Sequence, residues 1–437
     1  MNAGIPANYT KGKVRQLQNT LYLASKANSK RRFHALYDKI YRKDILQMAW
    51  IRVKANGGSA GIDRETIQYI IQEYGEGRML QECQNVLISK TYRACPVRRH
   101  EIPKDDGKMR PLGIPTVRDR VIQMATKIVL EPIFEADFQE CSYGFRPKRS
   151  AHDALRRIRK TAERDKIHWV VDVDISGYFD NIPHDKLMKM VEQRISDRRV
   201  LKLIRLWLTA GVMKGAELQE TPIGSPQGGV ISPLLANLYL HYLDTIWTKQ
   251  FSHIGTIVRY ADDMVILCRY KEQALEAINV LKAVFQKLEL TMNTDKSKLV
   301  HLWAGKEGFD FLGMTHRRMP YWGKNGKVIY FLRSIPSKKA MKRMRNRVRD
   351  ELAPLTKLGW TLEQLIKRMN PIIQGWKNYY AAIDPNMANK FLVKVDWHIR
   401  RRFCLWWNRK HKKRKASQIN LYALLTIAGL KTAANWR

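Results

Sequence analysis

Thr256–Cys268 reads T-I-V-R-Y-A-D-D-M-V-I-L-C. Apolar runs flank a central Ala261-Asp262-Asp263, which predicts two short strands joined by a tight turn. Adjacent carboxylates repel each other and lose solvation when buried, so a cation between them is the natural resolution. A second acidic strand, W-V-V-D-V-D-I, lies upstream at 169–175. Strand side chains alternate, so Asp172 and Asp174 share a face there. The expectation is that Asp174, Asp262 and Asp263 converge on two Mg²⁺ ions and run a two-metal phosphoryl transfer. In such chemistry ions about 3.5–4 Å apart hold the attacking and the leaving oxygen.

The chain of 437 residues carries 79 Lys+Arg against 40 Asp+Glu, a net charge of +39. Its length leaves room for two or three domains, and its 45% hydrophobic content is that of a globular protein. A surface this basic binds a polyanion, because each neutralised phosphate releases counterions. Membrane is the competing polyanion, but no run of 18 apolar residues occurs and M-N-A-G-I-P-A-N-Y-T lacks a signal peptide's apolar segment. Nucleic acid is the expected partner, with no membrane. The five cysteines are scattered and never spaced C-x-x-C, which suits core thiols in a reducing cytoplasm and argues against a zinc site.

Residues 1–35 hold seven Lys/Arg and no acid, a basic N-terminal arm that either forms a helix over Thr10–Ser25 or orders only on RNA. Helical spacing follows over Leu36–Lys54. Tyr92–Pro103 and Met109–Ile114 predict a hairpin with Lys104 and Arg110 at its tip. Helices are expected at Thr116–Phe134, Ser150–Glu163, 184–195 and 198–211. Pro222–Gly229 is a Gly/Pro loop, and Ser232-Pro233 reads as an N-cap followed by Pro at N1. A helix at 272–288 and a strand-like Gly308–Met314 complete this part. Beyond Ser337 the composition turns helical, basic and Trp-rich.

The order of these elements is that of a polymerase palm, and the words resemble those of group II intron-encoded reverse transcriptase/maturases. They are G-G-S-A-G-I-D (57–63), E-I-P-K-D-D-G-K-M-R-P-L-G-I-P-T (101–116), S-Y-G-F-R-P (142–147), V-D-V-D-I-S-G-Y-F-D-N-I-P-H (171–184), G-S-P-Q-G-G-V-I-S-P-L-L-A-N (224–237), R-Y-A-D-D (259–263), N-T-D-K-S (293–297), F-L-G (311–313) and G-W-K-N-Y-Y (375–380). Y-A-D-D alone is weak; nine words in order are not. The resemblance implies that Asp174, five residues before Phe179, is the metal ligand of the first strand, with Asp172 as the alternative. It implies that Phe179 excludes a ribose 2′-OH, that Lys104 and Arg110 clamp the dNTP triphosphate, and that Gln227 contacts the nucleotide beside Gly228 and Gly229. Lys296, with Lys298 as rival, corresponds to the lysine that protonates pyrophosphate. Arg146 corresponds to a template contact, although a carboxylate partner would serve it equally.

Residues 336–437 resemble the thumb, or maturase domain X. Arg400–Lys415 holds nine Lys/Arg and no acid; Arg400, Arg401, Arg402, Arg409, Lys410, Lys412, Lys413 and Arg414 are the candidate RNA contacts. The interleaved Trp406 and Trp407 can stack on bases or pack in a core. About twenty residues follow, without a His/Cys-rich block, so no H-N-H endonuclease is expected. A DNA primer would then come from nicks or replication forks.

The predicted fold is α+β: a right-hand polymerase with fingers and palm over 36–335, followed by an α-helical thumb. The expected function is an RNA-directed DNA polymerase of a group II intron, acting by target-primed reverse transcription and assisting splicing. The implied partners are intron RNA in a ribonucleoprotein, an RNA template with a DNA primer, dNTPs and target DNA. The expected location is the bacterial cytoplasm, with association to the nucleoid. Two other readings use the same residues: an enzyme recruited to DNA repair or phage defence, and a splicing-only maturase with a vestigial site. The oligomeric state is not legible.

Overall fold

The computed structural model describes residues 7–434 except 104–106, 108, 215–216, 220–222, 225–227, 324 and 412–417. The chain opens with helices α1 (Ala7–Ala27), α2 (Tyr37–Ile40), α3 (Lys43–Asn56), α4 (Ile67–Tyr69) and α5 (Glu76–Ile88), followed by strands β1 (Val97–Pro103) and β2 (Met109–Ile114). Helices α6 (Val117–Glu135) and α7 (Ala151–Arg164) lead into β3 (Trp169–Val173), α8 (His184–Glu192) and α9 (Arg198–Leu208). Next come β4 (Val212–Lys214), β5 (Glu217–Gln219), α10 (Ser232–Ile246), β6 (Thr256–Tyr260), β7 (Asp263–Cys268) and α11 (Lys271–Lys287). Strands β8 (Lys298–His301), β9 (Gly308–Phe311), β10 (Met314–Trp322) and β11 (Val328–Pro336) precede α12 (Lys338–Leu352), α13 (Leu362–Tyr380), α14 (Pro385–Lys410) and α15 (Gln418–Ile427). No helix of the described residues is long and apolar enough to cross a membrane.

Helix α6 is buried nearly all round, its polar Asp119, Arg120 and Gln123 included. Thr116 caps it, accepting from the Asp119 amide at 3.1 Å. The basic N-terminal segment is α1, laid against α6. Val14 and Leu21 are buried, and Ser25 Oγ donates to the Ile133 carbonyl at 2.9 Å. That segment is therefore a helix packed onto the body. Ser232 differs from its predicted capping role. The amides of Leu234 and Leu235 reach back to the Ile231 carbonyl at 3.0 and 3.2 Å, so Ile231 takes the cap position and Ser232 lies inside the first turn.

Three sheets form, ordered β2-β1-β4-β5, β6-β7-β3-β8 and β11-β10-β9. The middle one organises the molecule. Val171 and Val173 of β3, with Met264 and Ile266 of β7, face a core shared with α1, α3, α6 and α8–α11. Val170, Val258, Val265 and Leu267 face a second core made with α7, β9–β11 and α12–α14. The helical C-terminal region thus closes one face of the palm sheet. The β10–β11 hairpin that carries this junction was not anticipated, although G-K-N-G at 323–326 between aromatic-rich runs is a hairpin signal.

Candidate active site

β3 is central and pairs antiparallel with both β7 and β8. Its last residue, Val173, stands opposite Met264, so one step further brings Asp174 alongside Asp263. Alternation puts Asp172 and Asp174 on the same side as Val170, and Asp263 on the same side as Val265. Pairing register and side-chain period together therefore gather the acidic groups at one end of one sheet face.

The turn that delivers Asp262 is short. Tyr260 pairs with Asp263, leaving Ala261 and Asp262 as the two-residue connection, with Ala261 at φ 58°. Hairpin turns of this length need a positive φ, which is costly for a residue with a Cβ. Arg259 holds it in place. Its guanidinium is fully buried against Asp244 of α10, and it donates to the Ala261 carbonyl at 2.8 Å, Asn237 Oδ1 at 3.1 Å and Ser142 Oγ at 2.8 Å. The S-Y-G-F-R-P segment lies against the same turn: the Tyr143 amide donates to the Arg259 carbonyl at 2.9 Å. Arg259 was missed in the sequence because a lone arginine inside an apolar strand announces no partner; Asp244 is fifteen residues away.

The electrostatics are those of crowded acids. Burial, then Asp174, raises the Asp262 carboxyl above its usual range, while Arg110 and Arg259 pull it back. Asp263 reaches solvent, yet desolvation, Asp262 and Asp174 push it up to about 6. Asp172 rises to about 7 through burial first and then Asp263, and so belongs to the cluster. Asp174 is wrapped by the N-T-D-K-S word: Asn293 Nδ2 donates to its Oδ2 at 3.0 Å, and Lys296 Nζ stands 3.7 Å from the same oxygen. Among the described residues, no three His, Cys, Asp or Glu side chains are drawn into a closed metal-ligating group.

Phe179 sits on the short 3₁₀ turn Tyr178–Asn181, half-buried and edge-on to Tyr178 at 5.4 Å. Tyr178 is anchored by its hydroxyl to the Ala236 carbonyl at 2.5 Å. The Gly/Pro loop passes beside it. The Gly224 amide donates to the Ile182 carbonyl at 2.9 Å, and a Cβ on Gly224 would meet the Asp180 carbonyl oxygen at 2.7 Å. Gly228 abuts the Gly113 carbonyl of β2, so its missing Cβ admits the protein's own backbone. Arg110 is exposed on β2, paired with Ile102. Lys104 and Gln227 lie outside the described residues.

Arg146 is corrected. It is buried, its Nη2 is 2.7 Å from Glu135 Oε1, its Nη1 donates to the Ser142 carbonyl at 2.8 Å, and its plane lies over Phe138. A guanidinium so occupied braces the S-Y-G-F-R-P loop and has no face for template.

On α14, Arg401 is exposed and stacked over Trp397 at 5.4 Å, and Arg409 is exposed with Nη1 on the Ala353 carbonyl at 3.1 Å. Arg400 and Arg402 are half-buried. Burial, then Arg409, Arg349 and Arg401, depress the Arg402 pKa, the mark of uncompensated positive charge. Lys410 caps the Trp360 carbonyl over the Trp406 ring. Trp406 is core, its Nε1 bonded to the Lys357 carbonyl at 3.0 Å, and Trp407 is half-buried. Lys412, Lys413 and Arg414 lie outside the described residues.

Residues 102–316 match the family described as reverse transcriptase (RNA-dependent DNA polymerase), and residues 341–422 match the group II intron maturase-specific domain. Protein YkfC of Escherichia coli (strain K12) is 35% identical over 316 residues, covering 64% of this chain and 79% of YkfC. Group II intron-encoded protein LtrA of Lactococcus lactis subsp. cremoris is 40% identical over 223 residues, 48% of this chain and 35% of LtrA. A 91 kDa protein in the cob intron of Schizosaccharomyces pombe is 27% identical over 417 residues, 79% of this chain and 50% of that protein. The chain therefore spans half or less of the latter two.

Proposed function

This chain belongs to the family of group II intron reverse transcriptase/maturases, and we propose that it copies RNA into DNA at the Asp174/Asp262/Asp263 cluster while binding intron RNA and assisting its splicing and mobility. The observation that carries the reading is the register that sets Asp174 beside Asp263 at the end of one sheet face. The donors there are all carboxylate oxygens, Asp262 and Asp263 are raised by burial and by Asp174, and Lys296 and Arg110 are cations that act on Asp263. That donor set fits a hard divalent cation such as Mg²⁺, which takes oxygen ligands. Bound there, two such ions supply Lewis-acid stabilisation of the attacking and leaving oxygens.

The chain's own groups do the rest. Arg110, with Lys104, offers a planar fork and a point charge to the triphosphate. Lys296, whose Nζ is 3.7 Å from Asp174 Oδ2, gives a proton to the departing pyrophosphate. Phe179 presents a ring edge against the sugar, and Gln227 contacts the nucleotide. Asp172 tunes the cluster from within the strand. The exposed cations of α14 grip phosphates of structured RNA. The partners are intron RNA, an RNA template with DNA primer, dNTPs and target DNA, met in a bacterial cytoplasm.

Asp262→Asn removes one charge and keeps the shape. Primer extension on an RNA template should fall below detection, with binding of the same RNA by filter retention within about twofold, since phosphate contacts elsewhere set that affinity. Near-normal extension by the variant would remove the site assignment.

A further inference from the structure

The palm sheet has a second end. From His168, just before β3, to Asp174, just after it, the chain runs about 20 Å, and around His168 the surface is unlike the active site. A groove there is lined by α7, the start of β3, Trp303 and the β10–β11 hairpin. β11 is the edge strand of its sheet, so side chains from both faces of the hairpin reach the groove.

The hairpin and its neighbour are aromatic and open. Trp303 is 57% exposed, Tyr321 54% and Trp322 68%, with Tyr330 and Phe331 also exposed. Large rings left in water in one place mark an interaction surface. The groove is cationic too, through Lys166 and Arg318, while Arg333 is paired with Asp384 Oδ2 at 3.3 Å. Its carboxylate, Glu163, is already held by Arg159 Nε at 3.0 Å. Several groups are preset. Trp303 stands edge-on to His168 at 5.0 Å, and the Arg333 guanidinium lies 5.7 Å from the Phe331 ring centre. Arg318 Nη2 donates to the Ile167 carbonyl at 2.8 Å, while Arg318 Nε and His168 Nδ1 are buried with no partner among the described residues.

Rings interleaved with cations suit a strand whose bases are unpaired, because an aromatic side chain stacks on any exposed base while Lys and Arg follow the phosphates. A duplex hides its base faces, and an apolar protein surface would leave Lys166 and Arg318 unmatched. We infer that this groove holds a single-stranded stretch of RNA, at a site separate from the polymerase cleft and from the Arg400–Lys410 end of α14. The choice of RNA as the polyanion rests on the proposed function; the groove itself does not.

The test uses the full chain and a thiouridine-substituted single-stranded oligouridine, photocrosslinked and mapped by mass spectrometry. Crosslinks should fall on peptides containing Trp303 or 321–331, and disappear when the oligonucleotide is annealed into a full duplex. Each lost stacking ring should cost about tenfold in binding. Trp303→Ala/Tyr321→Ala should therefore lower crosslinking at these peptides by at least that factor. Its melting temperature should stay unchanged and its crosslinks on α14 should persist. Crosslinks on α14 with none at the groove would overturn this inference alone. So would a double variant that crosslinks like the parent but loses self-association in sedimentation. An RNA that crosslinks nowhere would bring down the proposed function as well.

Discussion

Gly144 has no room for a side chain. A Cβ there would lie 2.5 Å from the Ala261 amide nitrogen and 3.0 Å from the Tyr260 carbonyl carbon, both backbone atoms of the turn that delivers Asp262. Gly144→Ala should shift that turn and reduce kcat for primer extension by two orders of magnitude or so, since catalytic groups displaced by about 1 Å lose on that scale. Gly375, with nothing within 4 Å of a Cβ, makes the control: Gly375→Ala should keep activity and leave the melting temperature equal or higher, alanine being the better helix former. Arg259 belongs to the same argument. Removing it alone strands Asp244 in a fully buried site, which costs about 3–5 kcal/mol. Arg259→Met with Asp244→Leu removes both charges and should recover much of the thermal stability, yet leave extension impaired, because the Ala261 carbonyl has lost its donor. A double variant with parental activity would show that the pair serves stability alone.

At the scale of elements, the β9–β11 sheet joins the palm to the helical region. The β10–β11 ladder runs unbroken from Met314↔Pro336 to Trp322↔Val328. His316 sits at its root, fully buried, stacked on Phe309 at 4.9 Å and 3.0 Å from Ser334 Oγ. Desolvation drops its pKa to about 3. Above the ordinary value of 6.5 the ring is neutral folded or unfolded, and the residue adds no pH dependence. Below 6.5 the unfolded chain takes up a proton that the folded chain refuses until about 3, so stability falls as pH drops through that window. Urea melts at pH 7 and pH 5 should show a smaller loss for His316→Phe than for the parent. Equal losses would mean that His316 is protonated in the fold.

For the whole molecule, charge decides. A net +39 makes RNA affinity steeply dependent on salt, and each phosphate contact contributes about 0.7 to the slope on single strands and 0.9 on duplex. Arg401→Gln/Arg409→Gln should lower the slope of log K against log salt by about 1.4–1.8 if both exposed guanidiniums meet phosphate. An unchanged slope would move the RNA off that face of α14. The two cores add a constraint. Val170, Val265 and Leu267 of the palm sheet pack in the same cluster as Met344, Ile373 and Phe403 of the helical region, so thumb and palm unfold together wherever that cluster is the main contact between them.

Motif words and periodicity were enough to read the acidic hairpin, β3, the fingers hairpin and most helices, because strand alternation, turn residues and helical spacing are local properties. Asp172, Asp174, Asp262 and Asp263 were legible for the same reason: a pair of acids inside apolar strands stands out in any window. Arg146 and Arg259 were not. Each is one basic residue in a very basic chain, and its meaning depends on Glu135 or Asp244, which only packing brings near. The exposed rings at 321–331 likewise looked like any strand until the sheet order left β11 at an edge. Charge and pattern along the chain thus determined a polyanion as the class of partner and singled out the candidate acids. Which cations are spent inside the protein, and which remain for RNA, was decided in three dimensions, because burial is a property of neighbours and not of the residue.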